Sequence, residues 1–193
     1  MRVIAGEAKG RRLVHPEGTG TRPATDRIRE TLCALLEPRL DGARVLDLFA
    51  GAGTLGVEAL SRGAAHVTFV EHAAPALAAL RQNLRTTGFE SRATVVAAAV
   101  SRFARAPGGP YDMIFCDPPF VDARDLRDLL ALPTVRGALA EGGQVVLRAH
   151  RKTLPDLAGV ARVARERVVG EEVLRFVEYD LSATGVSPEG DFG

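Results

Sequence analysis

The apolar positions of this chain change their spacing along its length. Residues 26–40 carry Ile28, Leu32, Leu35, Leu36 and Leu40 three and four apart, the pattern of an amphipathic helix. Thr25 or Asp26 can cap its start. Before it, residues 2–5 and 11–15 resemble a small hairpin around Gly6 and Gly10, and residues 16–25 form a loop rich in Gly, Thr and Pro. From residue 41 short apolar runs alternate with helical stretches. The runs at 45–50, 66–71, 93–98, 111–116 and 144–149 predict strands. The stretches at 55–62, 75–87, 101–106 and 122–140, and a weaker one at 152–160, predict helices. Gly63 and Gly88 stop the first two. Two last runs, 162–169 and 172–181, flank Gly170, and so short a connection permits only an antiparallel hairpin.

Alternating strands and helices imply parallel pairing through right-handed crossovers. The expected fold is therefore α/β: a Rossmann-like, doubly wound, seven-stranded sheet, mostly parallel with an antiparallel last strand. A small N-terminal hairpin and helix precede it. Residues 1–181 are expected to form one domain, with 1–40 as an extension and 41–181 as the ligand-binding core, while 182–193 have little to bury and are expected to fray. Ligands of such sheets bind beyond the carboxyl ends of the strands, where the strand order reverses. The loops after the first, second and fourth strands lie at that edge.

Charge changes this picture in one place. The whole chain nets only +1, so it has no global signature of nucleic-acid binding. Residues 1–29, however, hold seven basic residues (Arg2, Lys9, Arg11, Arg12, Arg22, Arg27, Arg29) against three acids (Glu7, Glu17, Asp26). That segment can face a polyanion, or it can be a solvated basic surface. Cys33 and Cys116 are far apart and outside any CxxC, which argues against a disulfide framework or a zinc cluster and fits a reducing compartment. Both suit small core positions better than nucleophiles. No apolar run is long enough for a membrane span, and no signal peptide follows Met1, so the expectation is a cytoplasmic protein without a membrane partner, acting as a monomer.

Two segments carry chemistry. Gly51-Ala52-Gly53-Thr54-Leu55-Gly56 matches GxGxxG between a strand and a helix, and Glu71 ends the next strand 20 residues after Gly51. A dinucleotide oxidoreductase would use such a turn for a pyrophosphate. A methyltransferase would use it for the methionine part of S-adenosylmethionine, with Glu71 accepting both ribose hydroxyls. Asp47, four residues before Gly51, favours the cationic ligand and would repel a pyrophosphate. It can also serve only as a partner of the helix dipole. The second segment, Asp117-Pro118-Pro119-Phe120, follows the fourth strand. Two prolines remove two backbone donors and fix two φ angles, which makes a rigid corner. Asp117 and the Pro118 carbonyl can accept the two protons of an exocyclic amine, and Phe120 can stack on its ring. The lone pair of such an amine is delocalised, and two fixed acceptors oppose that and stabilise the charge that develops during methyl transfer. The bland alternative is a stiff turn with a surface Phe. A base inside a duplex would have to be flipped out to reach this corner.

Asp47 to Gly56, Glu71 and the Asp117-Pro118-Pro119-Phe120 segment resemble the class I methyltransferases that modify base amino groups. Further stretches narrow the resemblance: Arg2-Val3-Ile4-Ala5-Gly6, Lys9-Gly10-Arg11-Arg12-Leu13, Thr21-Arg22-Pro23-Ala24-Thr25-Asp26-Arg27-Ile28-Arg29-Glu30-Thr31-Leu32 and Glu58-Ala59-Leu60-Ser61-Arg62-Gly63-Ala64. They are similar to the bacterial 16S rRNA guanine-N2 methyltransferase family, the RsmD family, over about residues 1–150. The resemblance implies S-adenosylmethionine as donor, no metal, and a guanine of 16S rRNA as acceptor, within the small ribosomal subunit or an assembly intermediate. It implies cofactor contacts from Asp47, Phe49, Ala50, Gly51, Gly53, Thr54, Glu71, His72, Val100 and Thr25. It also implies RNA contacts from Lys9, Arg11, Arg12, Arg22 and Arg27, with Pro23 and Asp26 lining the same pocket. On the residues alone, Arg27 and Arg29 can instead be exposed helix positions. Two departures stand out. Ala97-Ala98-Ala99 replaces a polar residue that would meet adenine, which leaves backbone groups and packing from Val100. Arg148 replaces an acid near the end of the fifth strand. Three alternatives remain: an amino-methyltransferase of adenine N6 or cytosine N4 in other RNA or DNA, a nicotinamide-dependent oxidoreductase, and a non-catalytic RNA-binding module.

Overall fold

A computed structural model describes residues 1–16, 26–118 and 123–179. Five parallel strands, β1 (Arg44–Asp47), β2 (His66–Glu71), β3 (Ala93–Ala97), β4 (Tyr111–Cys116) and β5 (Leu139–His150), are followed by the hairpin β6 (Arg162–Val169) and β7 (Glu172–Glu178). The seven form one sheet in the order β3-β2-β1-β4-β5-β7-β6. β7 runs antiparallel to both its neighbours, as the short turn at Gly170 requires. The strand order reverses between β1 and β4, so the carboxyl ends of these two strands flank the crevice where such sheets bind ligands.

β1 and β4 are almost wholly buried, as central parallel strands covered on both faces must be. Successive residues serve opposite layers. Val45, Phe69 and Phe115 join one core with the N-terminal segment, α1 (Asp26–Leu36), α2 (Thr54–Ser61) and α3 (Ala74–Thr87). Leu46, Val70 and Ile114 join the other with α4 (Val100–Phe103), α5 (Ala123–Ala131) and α6 (Pro133–Gly137). Each fully buried side chain of this size contributes about 1.5–3 kcal/mol. β6 closes the sheet with both faces exposed, and Arg162, Arg165, Glu166 and Arg167 keep that edge charged. Among the described residues no helix is long and apolar enough to cross a membrane.

Several boundaries depart from the sequence pattern. The expected helix at 122–140 breaks into α5 and α6, because Leu132 precedes Pro133 and is extended (φ −63°, ψ 126°). β5 begins at Leu139 rather than 144, and its register with β4 slips between Tyr111 and Met113, where Gly142 and Gly143 bulge. The helix expected at 152–160 does not form; Arg151–Thr153 make one 3-10 turn, and Pro155 and Gly159 prevent continuation. The stretch 101–106 yields only the short α4. β1 stops at Asp47, three residues early, although Leu48 and Ala50 still donate to Phe115 and Val70. β7 ends at Glu178. The N-terminal hairpin is held by one antiparallel bridge, Arg2 to Arg12, and by bonds between the backbones of Val3 and Arg11 and of Leu13 and Met1. Residues 182–193, Thr25 and the loop before α1 lie outside the described residues.

Candidate active site

The turn after β1 is shaped by glycines with distinct tasks. Gly51 takes the left-handed conformation (φ +54°), and a Cβ built there would meet nothing within 4 Å. The space over its backbone is therefore open. Gly56 is different: a Cβ there would lie 2.2 Å from the Phe69 ring, so its missing side chain lets α2 settle on β2. Gly53, also left-handed, abuts Leu80.

Asp47 sits beneath this turn, 1% exposed. Its Oδ2 accepts the Gly56 N–H at 3.2 Å, while its Oδ1 is buried without a partner. Burial, then the charge of Asp117, pushes its carboxyl up to about 7; the Gly56 N–H pulls it down, Glu71 adds a smaller upward push, and the nearby Phe49 N–H, too poorly placed to bond Oδ1, a smaller downward one. An orphaned buried carboxylate oxygen is costly, and it marks a place for a donor or a cation.

Glu71, at the end of β2, reaches back over the same turn. Its Oε2 accepts the Gly51 N–H at 2.9 Å, and its Oε1 accepts those of His72 and Ala73 at 2.7 Å each. The carboxylate thus ties the glycine turn to the start of α3. A carboxylate has about four acceptor sites, and these three backbone donors occupy three of them. Of the other expected contacts, Ala50 is buried, Phe49, Thr54 and Val100 are half-buried, and the His72 side chain is exposed.

Asp117 follows β4, two residues beyond the position paired with Asp47. Its Oδ1 accepts from Arg148 Nε at 2.5 Å, and Arg148 Nη1 lies 3.7 Å from Glu172. Burial raises the Asp117 carboxyl above the usual carboxylate range, Arg148 opposes this by charge and hydrogen bond, and Glu172 raises it again. Asp117, expected as an acceptor for the amine, is therefore held on one oxygen by Arg148, a residue whose role the sequence left open. Pro118 is half-buried. Pro119 and Phe120 lie outside the described residues. Cys116 is buried, and burial raises its thiol far above the usual range, so it is no nucleophile.

The basic N-terminal residues divide. Lys9, Arg11 and Arg12 are exposed. Arg22 and the Arg27 side chain lie outside the described residues. Arg29, with an exposed position open to it on sequence grounds, is instead 0% exposed and donates through Nη2 to the Arg2 carbonyl at 3.2 Å. Three buried polar residues, to which sequence reasoning gave no such role, fix this segment to the core. Glu58 accepts the N–H groups of Ile4 and Ala5 and pairs with Arg62. Ser61 accepts from Ala8 and donates to Ala5. Asn83 accepts from Val14 N–H and donates to the carbonyls of both Val14 and Ala52. The Asn83 side chain, on α3, thus bridges the N-terminal segment to the glycine turn. The one available signal was a polar residue on an otherwise apolar helix face, such as Asn83 between Leu80 and Leu84.

Asp47, Glu71 and Asp117 gather at one edge, where Arg148 pairs with Asp117 alone of the three. Such a site disfavours a pyrophosphate and fits a cationic ligand. S-adenosylmethionine, with its ammonium and sulfonium, fits the orphaned Asp47 oxygen and the open space over Gly51. Among the described residues no cluster of three or more His, Cys, Asp or Glu could hold a metal ion. Sheet order, glycine turn and strand-end acids define a class I, S-adenosylmethionine-dependent methyltransferase. Residues 1–178 match the family described as Conserved hypothetical protein 95, and the chain belongs to that family.

Relatives match over most of the chain. Ribosomal RNA small subunit methyltransferase D of Escherichia coli K12 is 36% identical over 188 residues, 97% of this chain and 93% of its own length. A solved structure from Thermus thermophilus matches with a TM-score of 0.78 and 33% identity, covering 92% of this chain and 99% of its own. Ribosomal protein L11 methylase of Lactobacillus delbrueckii, at 20% identity and a TM-score of 0.66 over 82% of each chain, shares the fold.

Proposed function

We propose that this enzyme methylates the exocyclic N2 of a guanine in 16S rRNA, within the small ribosomal subunit or an assembly intermediate in the cytoplasm. The observation that carries the reading is the meeting of Asp117 with Asp47 and Glu71 at the reversal of strand order. When bound, S-adenosylmethionine supplies an electrophilic methyl group. Asp47 and the Gly51 turn bind its cationic end, and Glu71 both holds the turn and meets the ribose. Asp117 accepts an N–H of the amine and offsets the positive charge that grows on nitrogen, a preorganised electrostatic effect worth several kcal/mol in order of magnitude. Pro118 supplies a second acceptor carbonyl. Lys9, Arg11 and Arg12 give phosphates a landing surface that Glu58, Ser61 and Asn83 hold in fixed relation to the cofactor turn. The relative named for the small ribosomal subunit supports rRNA over DNA.

The test is methyl transfer by the purified protein to small subunits, free 16S rRNA and deproteinised DNA, with nucleoside mass spectrometry of the product. N2-methylguanosine in rRNA is the expected result. Methylated adenine or cytosine in DNA, with unmodified rRNA, would reassign the substrate.

A further inference from the structure

Arg148 is the residue of the site that the proposed reaction leaves unused. It lies on β5 one position past Leu147, which pairs with Cys116, and so stands beside Asp117. Its side chain is 16% exposed and reaches two acids from different strands: Asp117 through Nε and Glu172 of β7 through Nη1. A guanidinium held by both is fixed in orientation. It occupies Oδ1 of Asp117 and leaves Oδ2 without a partner among the described residues.

The charges around Asp117 show what this contact opposes. Cys116 precedes it on β4 and is buried as the thiol; Glu172, on β7, repels it; Asp47, at the end of β1, is itself raised by the charge of Asp117. Burial acts in the same direction. Only the ionised form can accept an amine N–H through either oxygen; a protonated carboxyl would present a donor where the amine also presents one.

We propose that Arg148 is a positioning residue for methyl transfer: pinned between Asp117 and Glu172, it grips one carboxylate oxygen of Asp117 so that the other faces the acceptor amine. This deepens the reading of the site as an amino-methyltransferase and rests on it. Arg148 acts through Asp117 and touches neither cofactor nor amine.

The experiment compares wild type with Arg148→Met, Arg148→Gln, Arg148→Lys and Glu172→Gln. The Asp117 carboxyl is titrated by carbon-13 NMR in the free protein, assigned by its loss in Asp117→Asn, and kcat is measured against pH with rRNA. Arg148→Met is expected to move the Asp117 titration and the acid limb of kcat up by about one pH unit, a roughly tenfold loss of rate on the acid limb, with KM for S-adenosylmethionine within about twofold. Arg148→Lys restores most of the shift. Glu172→Gln moves both downward, because it removes a repulsive charge, and Arg148→Gln, which removes the cation but keeps a polar side chain, decides the matter if Arg148→Met fails to fold. An unmoved titration and acid limb in the folded variants, or a uniform fall in kcat at every pH, overturns the proposal. Wild type that methylates no rRNA while the titration shifts as expected would instead overturn the substrate assignment and leave the Arg148 contact standing.

Discussion

Glu71 accepts the backbone N–H of Gly51 at 2.9 Å, so a carboxylate at the end of β2 sets the turn that follows its neighbour β1. The glycine turn and the Asp117 corner are therefore organised by different acids, and the roles proposed for the two can be separated by mutation.

Glu71→Ala deprives Gly51, His72 and Ala73 of their acceptor. Affinity for S-adenosylhomocysteine is expected to fall about 10- to 100-fold, or roughly 1.5–3 kcal/mol, with kcat at saturation little changed. Asp117→Ala is expected to do the reverse, lowering kcat by two or more orders of magnitude, roughly 3 kcal/mol or more, and sparing that affinity. Calorimetry and turnover read both, and an exchanged pattern would show the roles to be misassigned.

Asp47, in the role proposed for it, is expected to make binding of the cationic cofactor depend on pH. Its carboxyl, raised to about 7, is largely protonated below that pH in the free protein, and a cation binds its ionised form. Affinity for S-adenosylmethionine should then rise with pH towards 7 and level off above about 8, by at most about tenfold per unit for one proton. Asp47→Asn should weaken binding and flatten the curve. Titrations from about pH 5.5 to 8.5 check this, and a flat wild-type profile would remove Asp47 from the cationic contact.

The glycine turn separates packing from binding. Gly56→Ala places a methyl 2.2 Å from the Phe69 ring and is expected to cost about 1–3 kcal/mol of stability, lowering Tm by several degrees. Gly51→Ala meets no neighbour and costs only the strain of its left-handed backbone, about 1–2 kcal/mol, yet fills the open space over the turn. Its loss of cofactor affinity should exceed that of Gly56→Ala. Melting curves with and without S-adenosylhomocysteine distinguish the two.

Replacing Lys9, Arg11 and Arg12 together by Gln should weaken RNA binding without altering cofactor affinity. The slope of log K against log salt should shrink by about 0.7–0.9 for each phosphate that is no longer neutralised. An unchanged slope in filter binding would make this exposed surface a bystander.

Much of the fold was legible in the chain because burial on both faces leaves continuous apolar runs with clear ends. β2 and β4 match their expected bounds residue for residue, and the turn signals at Gly88 and Gly170 hold. Boundaries failed where proline or glycine interrupted a weaker pattern, at Leu132-Pro133 and in the 152–160 stretch. Within the site, Asp47, the glycines, Glu71 and Asp117 were legible because their order and spacing follow the ends of successive strands.

The sequence by itself determined the sheet, the edge at which chemistry occurs and the acids placed there, since these follow from local periodicity and chain order. Only the tertiary structure decided who holds those acids. Arg148 meets Asp117 from 31 residues away, Asn83 meets Ala52 from 31 and Val14 from 69, and Glu58 meets Ile4 from 54. Such pairings depend on which strands become neighbours and in what register, and neither spacing nor hydropathy along one chain encodes that directly.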